Sequence, residues 1–192
     1  MRNQLKLALI GAGFWGGNLA RNFHALGVLK IVCDASQDAL NASKIKYPEV
    51  STTLSFSDVL ARHDIDAIVI ATQAGLHHSL VRDSLLAGKH VFVEKPLAMN
   101  AKEGEELVHL AQDSGKILFV GHVLQYHPAI NAIKSLLTEG ALGKLQYIYS
   151  NRLNLGKFRR EENILWSFAP HDISVILSLV NEEPIFVYAR GS

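Results

Sequence analysis

Short apolar runs alternate with amphipathic stretches from the start of the chain to Gly121. The apolar runs are Leu5 to Ile10, Lys30 to Cys33, Asp66 to Ala71, His90 to Val93 and Ile117 to Val120. Their length and continuity suit strands buried on both faces of a parallel sheet. Between them, Gly17 to Leu26, Asp38 to Lys46, Phe56 to Ala61, Leu76 to Leu86 and Lys102 to Gln112 place apolar residues at helical spacing. Gly27, Gly88 and Gly115 stand where a helix end wants a left-handed residue. Strand and helix in alternation, joined by right-handed crossovers, predict an α/β fold with a doubly wound parallel sheet over residues 1–121. Past Gly121 the rhythm changes. A helix near Pro128 to Leu137, a turn at Gly140 and Gly143, a strand near Leu145 to Ser150, a helix near His171 to Leu179 and a strand Ile185 to Ala189 are predicted. Two strands make only a small sheet with unpaired edges, so residues 122–192 read as an incomplete α+β domain that invites a partner chain of the same kind.

Composition narrows the class. The chain of 192 residues has 48% hydrophobic and 19% charged residues, the profile of a packed domain. Its 19 basic residues against 18 acidic ones argue against a nucleic-acid partner. Length alone suggests about one domain and a fraction of a second. No apolar run reaches the roughly 18 residues a membrane span needs, and the glycines after Ile10 do not read as a signal-peptide cleavage site. A single cysteine, Cys33, excludes an internal disulfide, and a cytoplasmic setting is the expectation.

Chemistry first enters at GAGFWG, Gly11 to Gly16, between a buried strand and a helix. There Gly11 suits a tight turn, Gly13 a close approach of backbone to a pyrophosphate, and Gly16 close helix-to-strand packing. The helix N-terminus adds free N–H groups and a positive dipole end. Asp34 ends the next strand about 20 residues on, where a carboxylate accepts hydrogen bonds from an adenosine ribose. No cation follows at Ala35 to Asp38 to hold a 2′-phosphate, which favours NAD as cofactor over NADP. The bland alternative is a tight turn with a capping aspartate. These features make residues 1–121 a candidate Rossmann domain.

A second motif, Glu94-Lys95-Pro96, lies at the carboxyl end of the His90 to Val93 strand, the edge where ligands bind in open α/β sheets. Pro96 biases Lys95 toward an extended backbone. A cationic nicotinamide nearby would favour the neutral amine, a general base for a hydroxyl proton. A solvated lysine paired with Glu94 fits the spacing equally well. His171, after Pro170 at the predicted helix start, could share that proton; taken alone, a capping or packing role fits it better. Arg152, Lys157, Arg159 and Arg160 suit phosphate or carboxylate recognition, although a solvated charge run is the commoner meaning of such a loop. His77 with His78, and His122 with His127, lack partners at ligand spacing, so no metal site is expected.

Taken together, GAGFWG, Asp34, ATQAGLHHSL from Ala71 to Leu80, GKHVFVEKPLA from Gly88 to Ala98, and His171-Asp172 resemble the Gfo/Idh/MocA family, named for glucose-fructose oxidoreductase and inositol dehydrogenase. The stretch NRLNLGKFRREENILWSFAPHDIS is similar to the branch that oxidises nucleotide-linked amino sugars at the 3-hydroxyl. The resemblance implies that Lys95 and His171 face the substrate carbon, with Lys95 taking the hydroxyl proton. It implies that Thr72, Gln73, His77 and Glu94 line the ribose and nicotinamide side, with Lys95 also beside the cofactor. Phe14 and Trp15 would offer backbone N–H groups to the pyrophosphate, and Arg152, Lys157, Arg159 and Arg160 would meet the sugar's diphosphate or a carboxylate. Residues 122–192 would then be part of a substrate and oligomerisation domain, and the protein a homo-oligomer acting on a small molecule, with no membrane partner.

Three departures stand out. Ser167 occupies the place, four residues before the histidine, where many members carry aspartate. Gln73-Ala74 replaces a common Pro-Asn, and members usually continue through several more strands. Alternatives are a non-catalytic NAD-binding fragment and a free-sugar or polyol dehydrogenase. On the ribose assignment, Asp34→Ala weakens NADH binding and relaxes discrimination against NADPH in a fluorescence titration; unchanged affinity for both would remove that role.

Overall fold

The computed structural model describes residues 5–153 and 163–191. They form two compact units, residues 1–121 and 122–192. The first is a six-stranded parallel sheet built from β1 (Leu7–Ile10), β2 (Leu29–Cys33), β3 (Ser51–Thr53), β4 (Ala67–Ile70), β5 (His90–Val93) and β6 (Leu118–Val120). The strand order is β3-β2-β1-β4-β5-β6. Chain order therefore reverses direction at β1 and β4, which makes the gap between their carboxyl ends the switch point where such sheets take ligands.

The unbroken apolar runs reflect burial on both faces. Ala8, Ile10, Ile68, Ile70, Val91 and Val93 point to one core, which α3 (Phe56–Leu60), α4 (His77–Leu86) and α5 (Ala101–Asp113) cover through Val59, Val81, Leu85, Leu107 and Ala111. Leu7, Leu9, Val32, Ala67 and Val69 point to the other, covered by Ala20 of α1 (Phe14–Ala25) and Leu40 of α2 (Gln37–Lys46). Ser36, Ser55 and Asn100 cap α2, α3 and α5 with side-chain oxygens, each accepting a backbone N–H of the first turn. The helix-ending glycines take left-handed backbones, with φ of 74° at Gly27, 73° at Gly88 and 62° at Gly115. Burial, with lesser help from Asp34 and Asp58, pushes the Cys33 thiol up to about 11, so it is a core group and not a nucleophile.

The short strand β3 breaks the sequence-based reading: Ser51–Thr53 has no apolar run, and pairing with β2 alone defines it. The second unit departs further. It contains α6 (Pro128–Thr138) and α7 (Ile164–Val180), and neither expected strand forms among its described residues. Tyr147, Tyr149, Ile185, Phe186, Val187 and Tyr188 are largely exposed instead, because a strand exists only through a hydrogen-bonded neighbour and none is present here. Helix α7 starts well before Pro170, capped by Asn163, and carries that proline inside it. The sequence pattern had placed Pro170 at the helix start, where a missing N–H costs least. No described helix is long and apolar enough to cross a membrane.

The two-sided core sets a first expectation. Ile68, fully buried in the central strand β4, loses about 2–5 kcal/mol of stability on truncation in Ile68→Ala, measured by urea unfolding. A loss of a few tenths would contradict the packing described.

Candidate functional site

The turn between β1 and α1 is fixed by clearances that exclude side-chain atoms. Gly11 has a φ of 93°, and a Cβ there would lie 2.7 Å from the Ala71 carbonyl oxygen at the end of β4. A Cβ on Gly16 would lie 1.9 Å from the Gly11 carbonyl oxygen, an impossible approach. The start of α1 is thus pressed onto the tips of β1 and β4. Gly13 differs: nothing lies within 4 Å of the Cβ position, and as N-cap it offers no side-chain acceptor to the first helical N–H groups. Open space over uncapped donors is a cradle that fits a pyrophosphate. Phe14 and Trp15, whose N–H groups belong to that first turn, are both exposed.

Asp34 braces the cradle from the side. Its carboxylate accepts the Ala12 N–H at 2.6 Å and the Ser36 N–H at 2.8 Å, so it fixes the turn while sitting half-buried at the β2 tip. The turn uses two of its roughly four acceptor directions, so bracing the turn does not conflict with the ribose role expected from the sequence.

On the other side of the switch point lie Thr72, Gln73, Glu94 and Lys95. Thr72, Glu94 and Lys95 are half-buried and Gln73 is exposed. The Lys95–Pro96 peptide is cis. His77, which the resemblance placed on the cofactor side, opens α4. It is 1% exposed and lies beneath the turn, its Nδ1 2.6 Å from the Pro96 carbonyl oxygen and its Nε2 3.2 Å from that of Thr72. The imidazole lies between the loop after β4 and the loop after β5. Glu94 accepts a hydrogen bond from the Trp15 indole N–H. Burial raises the Glu94 pKa above the usual carboxylate range, opposed by the indole, by the Lys95 backbone N–H and by the Lys95 charge. The family resemblance had implied only the Trp15 backbone; its side chain went unread because a motif carries no information on where an indole reaches.

In the second unit, Arg152 forms a two-pronged pair with Asp172, at 2.9 and 3.0 Å, and lies over the Phe168 ring. The pairing holds the Asp172 carboxyl below its ordinary pKa, first through the Arg152 hydrogen bonds. Arg152, read as a substrate contact, is therefore also what fixes the residue next to His171. Ser167 is buried one helical turn before half-buried His171 on α7. Lys157, Arg159 and Arg160 lie outside the described residues. Among the described residues no group of three His, Cys, Asp or Glu could hold a metal ion.

An order 3-2-1-4-5-6 sheet with a glycine cradle at its switch point defines a dinucleotide-binding domain of the Rossmann class. A family profile described as an oxidoreductase family with an NAD-binding Rossmann fold matches residues 5–122, and the chain belongs to that family, Gfo/Idh/MocA. It is 27% identical over 193 residues to a UDP-N-acetylglucosamine 3-dehydrogenase of Acidithiobacillus ferrooxidans, covering 97% of this chain and 58% of the relative. It is 28% identical over 181 residues to a 4-carboxy-2-hydroxymuconate-6-semialdehyde dehydrogenase of a Sphingobium species, covering 89% and 58%. The crystal structure of myo-inositol 2-dehydrogenase from Lactobacillus plantarum superposes with a TM-score of 0.70 at 27% identity, covering 74% of this chain and 43% of that one. The chain thus spans 58% of the length of these two curated relatives.

The two glycine clearances predict opposite outcomes. Gly16→Ala lowers the melting temperature because backbone must move, whereas Gly13→Ala leaves it unchanged and weakens NADH binding by intruding on the cradle. Equal melting temperatures for both would contradict the packing.

Proposed function

We propose that the chain forms the cofactor-binding part, and a portion of the substrate-binding part, of an NAD-dependent sugar dehydrogenase. The observation that carries this reading is the juxtaposition, at one sheet edge, of the open Gly13 cradle with the Glu94-Lys95 strand tip, joined by the Trp15 indole. The start of α1 would hold a pyrophosphate, with Asp34 on the adenosine side and Glu94 and Lys95 on the nicotinamide side. Support for NAD comes from Asp34 at the β2 tip and from Ala35 to Asp38, which include no cation for a 2′-phosphate.

When bound, the nicotinamide supplies the hydride acceptor for the carbinol carbon. The chain's own residues do the rest. Thr72, Gln73 and Glu94 bound the ribose and nicotinamide side, and His77 holds the two loops in register from below. Lys95 takes the hydroxyl proton as general base. His171 is assigned to orient the substrate or relay that proton. Arg152, Lys157, Arg159 and Arg160 are assigned to an anionic group of the substrate, for which a diphosphate suits arginine forks. The substrate in this reading is the 3-hydroxyl of a nucleotide-linked amino sugar, favoured by the likeness to the Acidithiobacillus enzyme over nearly the whole chain. A second reading, a free polyol or sugar, is favoured by the superposition on the inositol enzyme.

The test is the rise in reduced-nicotinamide absorbance when the protein is mixed with NAD and a panel of UDP-amino sugars, free sugars and polyols. The first reading expects reduction that depends on a nucleotide sugar, falls by about 10²–10⁴ in Lys95→Ala, and shows a raised KM in Arg159→Ala and Arg160→Ala. Equal response to free sugars with those variants silent would select the second reading.

A further inference from the structure

Resting on the NAD-binding reading, we infer that the Trp15 side chain is a positioning residue for Glu94: its indole N–H and the bare Cα of Gly121 together fix the carboxylate that faces the nicotinamide ribose.

The arrangement is held from both ends. Trp15 precedes Gly16, whose lack of clearance against the Gly11 carbonyl leaves the start of α1 one position on the sheet. The Glu94 N–H donates to the Ile70 carbonyl at 2.9 Å, continuing the ladder past β4, and the Gly121 N–H donates to the Val93 carbonyl at 2.7 Å. The carboxylate sits between these fixed points, with the indole N–H on Oε1. A Cβ on Gly121 would lie 3.0 Å from Oε1, 3.1 Å from Cδ and 3.2 Å from Oε2, so only glycine leaves this rotamer its full space. The contact joins the glycine turn to the β5 tip across 79 residues of sequence.

A plain tie between two loops needs no ionisable group, and burying a carboxylate is costly. What the carboxylate adds is a charged acceptor for ribose hydroxyls. Lys95 is the charged neighbour acting on Glu94, and burial is the main influence opposing its ionisation. The indole N–H favours the ionised form, so its removal raises the Glu94 pKa further. Trp15 therefore both aims the acceptor and keeps it charged. The sign follows: cofactor binding weakens as pH falls through the Glu94 pKa, and loss of the indole moves that limb upward in pH.

The experiment is a double-mutant cycle on NADH affinity, by nicotinamide fluorescence, for wild type, Trp15→Phe, Glu94→Ala and the double variant across mildly acidic to mildly alkaline buffer. Trp15→Phe alone should weaken binding about tenfold, the worth of a hydrogen bond to a charged group, with its acidic limb at higher pH than wild type. In the Glu94→Ala background the same change should cost less than about twofold, and no such limb should remain. Gly121→Ala, with the indole intact, should reproduce the loss. In cofactor-free protein bearing Trp166→Phe, the emission of Trp15 should titrate with pH and cease to do so with Glu94→Ala. Additive losses in the cycle, or a Trp15 emission indifferent to Glu94, would overturn the positioning role while leaving NAD binding in place. A wild-type protein that binds no NADH would instead overturn the dehydrogenase reading and this inference with it.

Discussion

Helix α1 meets the sheet with no atom to spare, and most of what the site does follows from that contact. The Gly16 position lies against the Gly11 carbonyl, and Gly11 in turn lies against Ala71 at the tip of β4. Close packing there fixes the direction in which the first N–H groups of α1 point and places Trp15 toward the tip of β5. The large energy of the fold comes from elsewhere, from β1, β2 and β4 with buried residues on both faces. That core is what lets the backbone sustain a contact so tight without yielding.

Around this fixed turn, carboxylates just past two strands serve structure and, in the proposed reading, binding together. Asp34 holds the turn through Ala12 and Ser36 while leaving acceptor directions over. Glu94 is held by Trp15 and destabilised as an anion by burial. Each is anchored by N–H donors of the chain itself, so in the proposed reading a ligand's hydroxyl groups would meet acceptors already in place. Preorganisation of this kind lowers the cost of ordering on binding.

Much of this architecture is legible in the sequence because it rests on local rules. Strand β5 matches its apolar run at His90 to Val93, and Gly27, Gly88 and Gly115 end helices as left-handed residues. What escaped rests on long-range contacts. Strand β3 exists only through its pairing with β2, and Ile185 to Ala189, with every mark of a strand, is exposed and forms none for want of a neighbour among the described residues. His77 is a site residue by the family resemblance, and its burial between the Pro96 and Thr72 carbonyls is a contact that no pattern announces. The Trp15 to Glu94 contact joins residues too far apart in sequence for any pattern to announce it. The pairing of Arg152 with Asp172 is hidden for the same reason.

In the proposed reading, the switch point between β1 and β4 holds NAD. Isothermal titration of the wild-type protein with NADH, and in parallel with NADPH, tests it without reference to any substrate. One saturable NADH site per chain is expected, with NADPH bound markedly more weakly. Absence of saturable binding by either, or preference for NADPH, would contradict it.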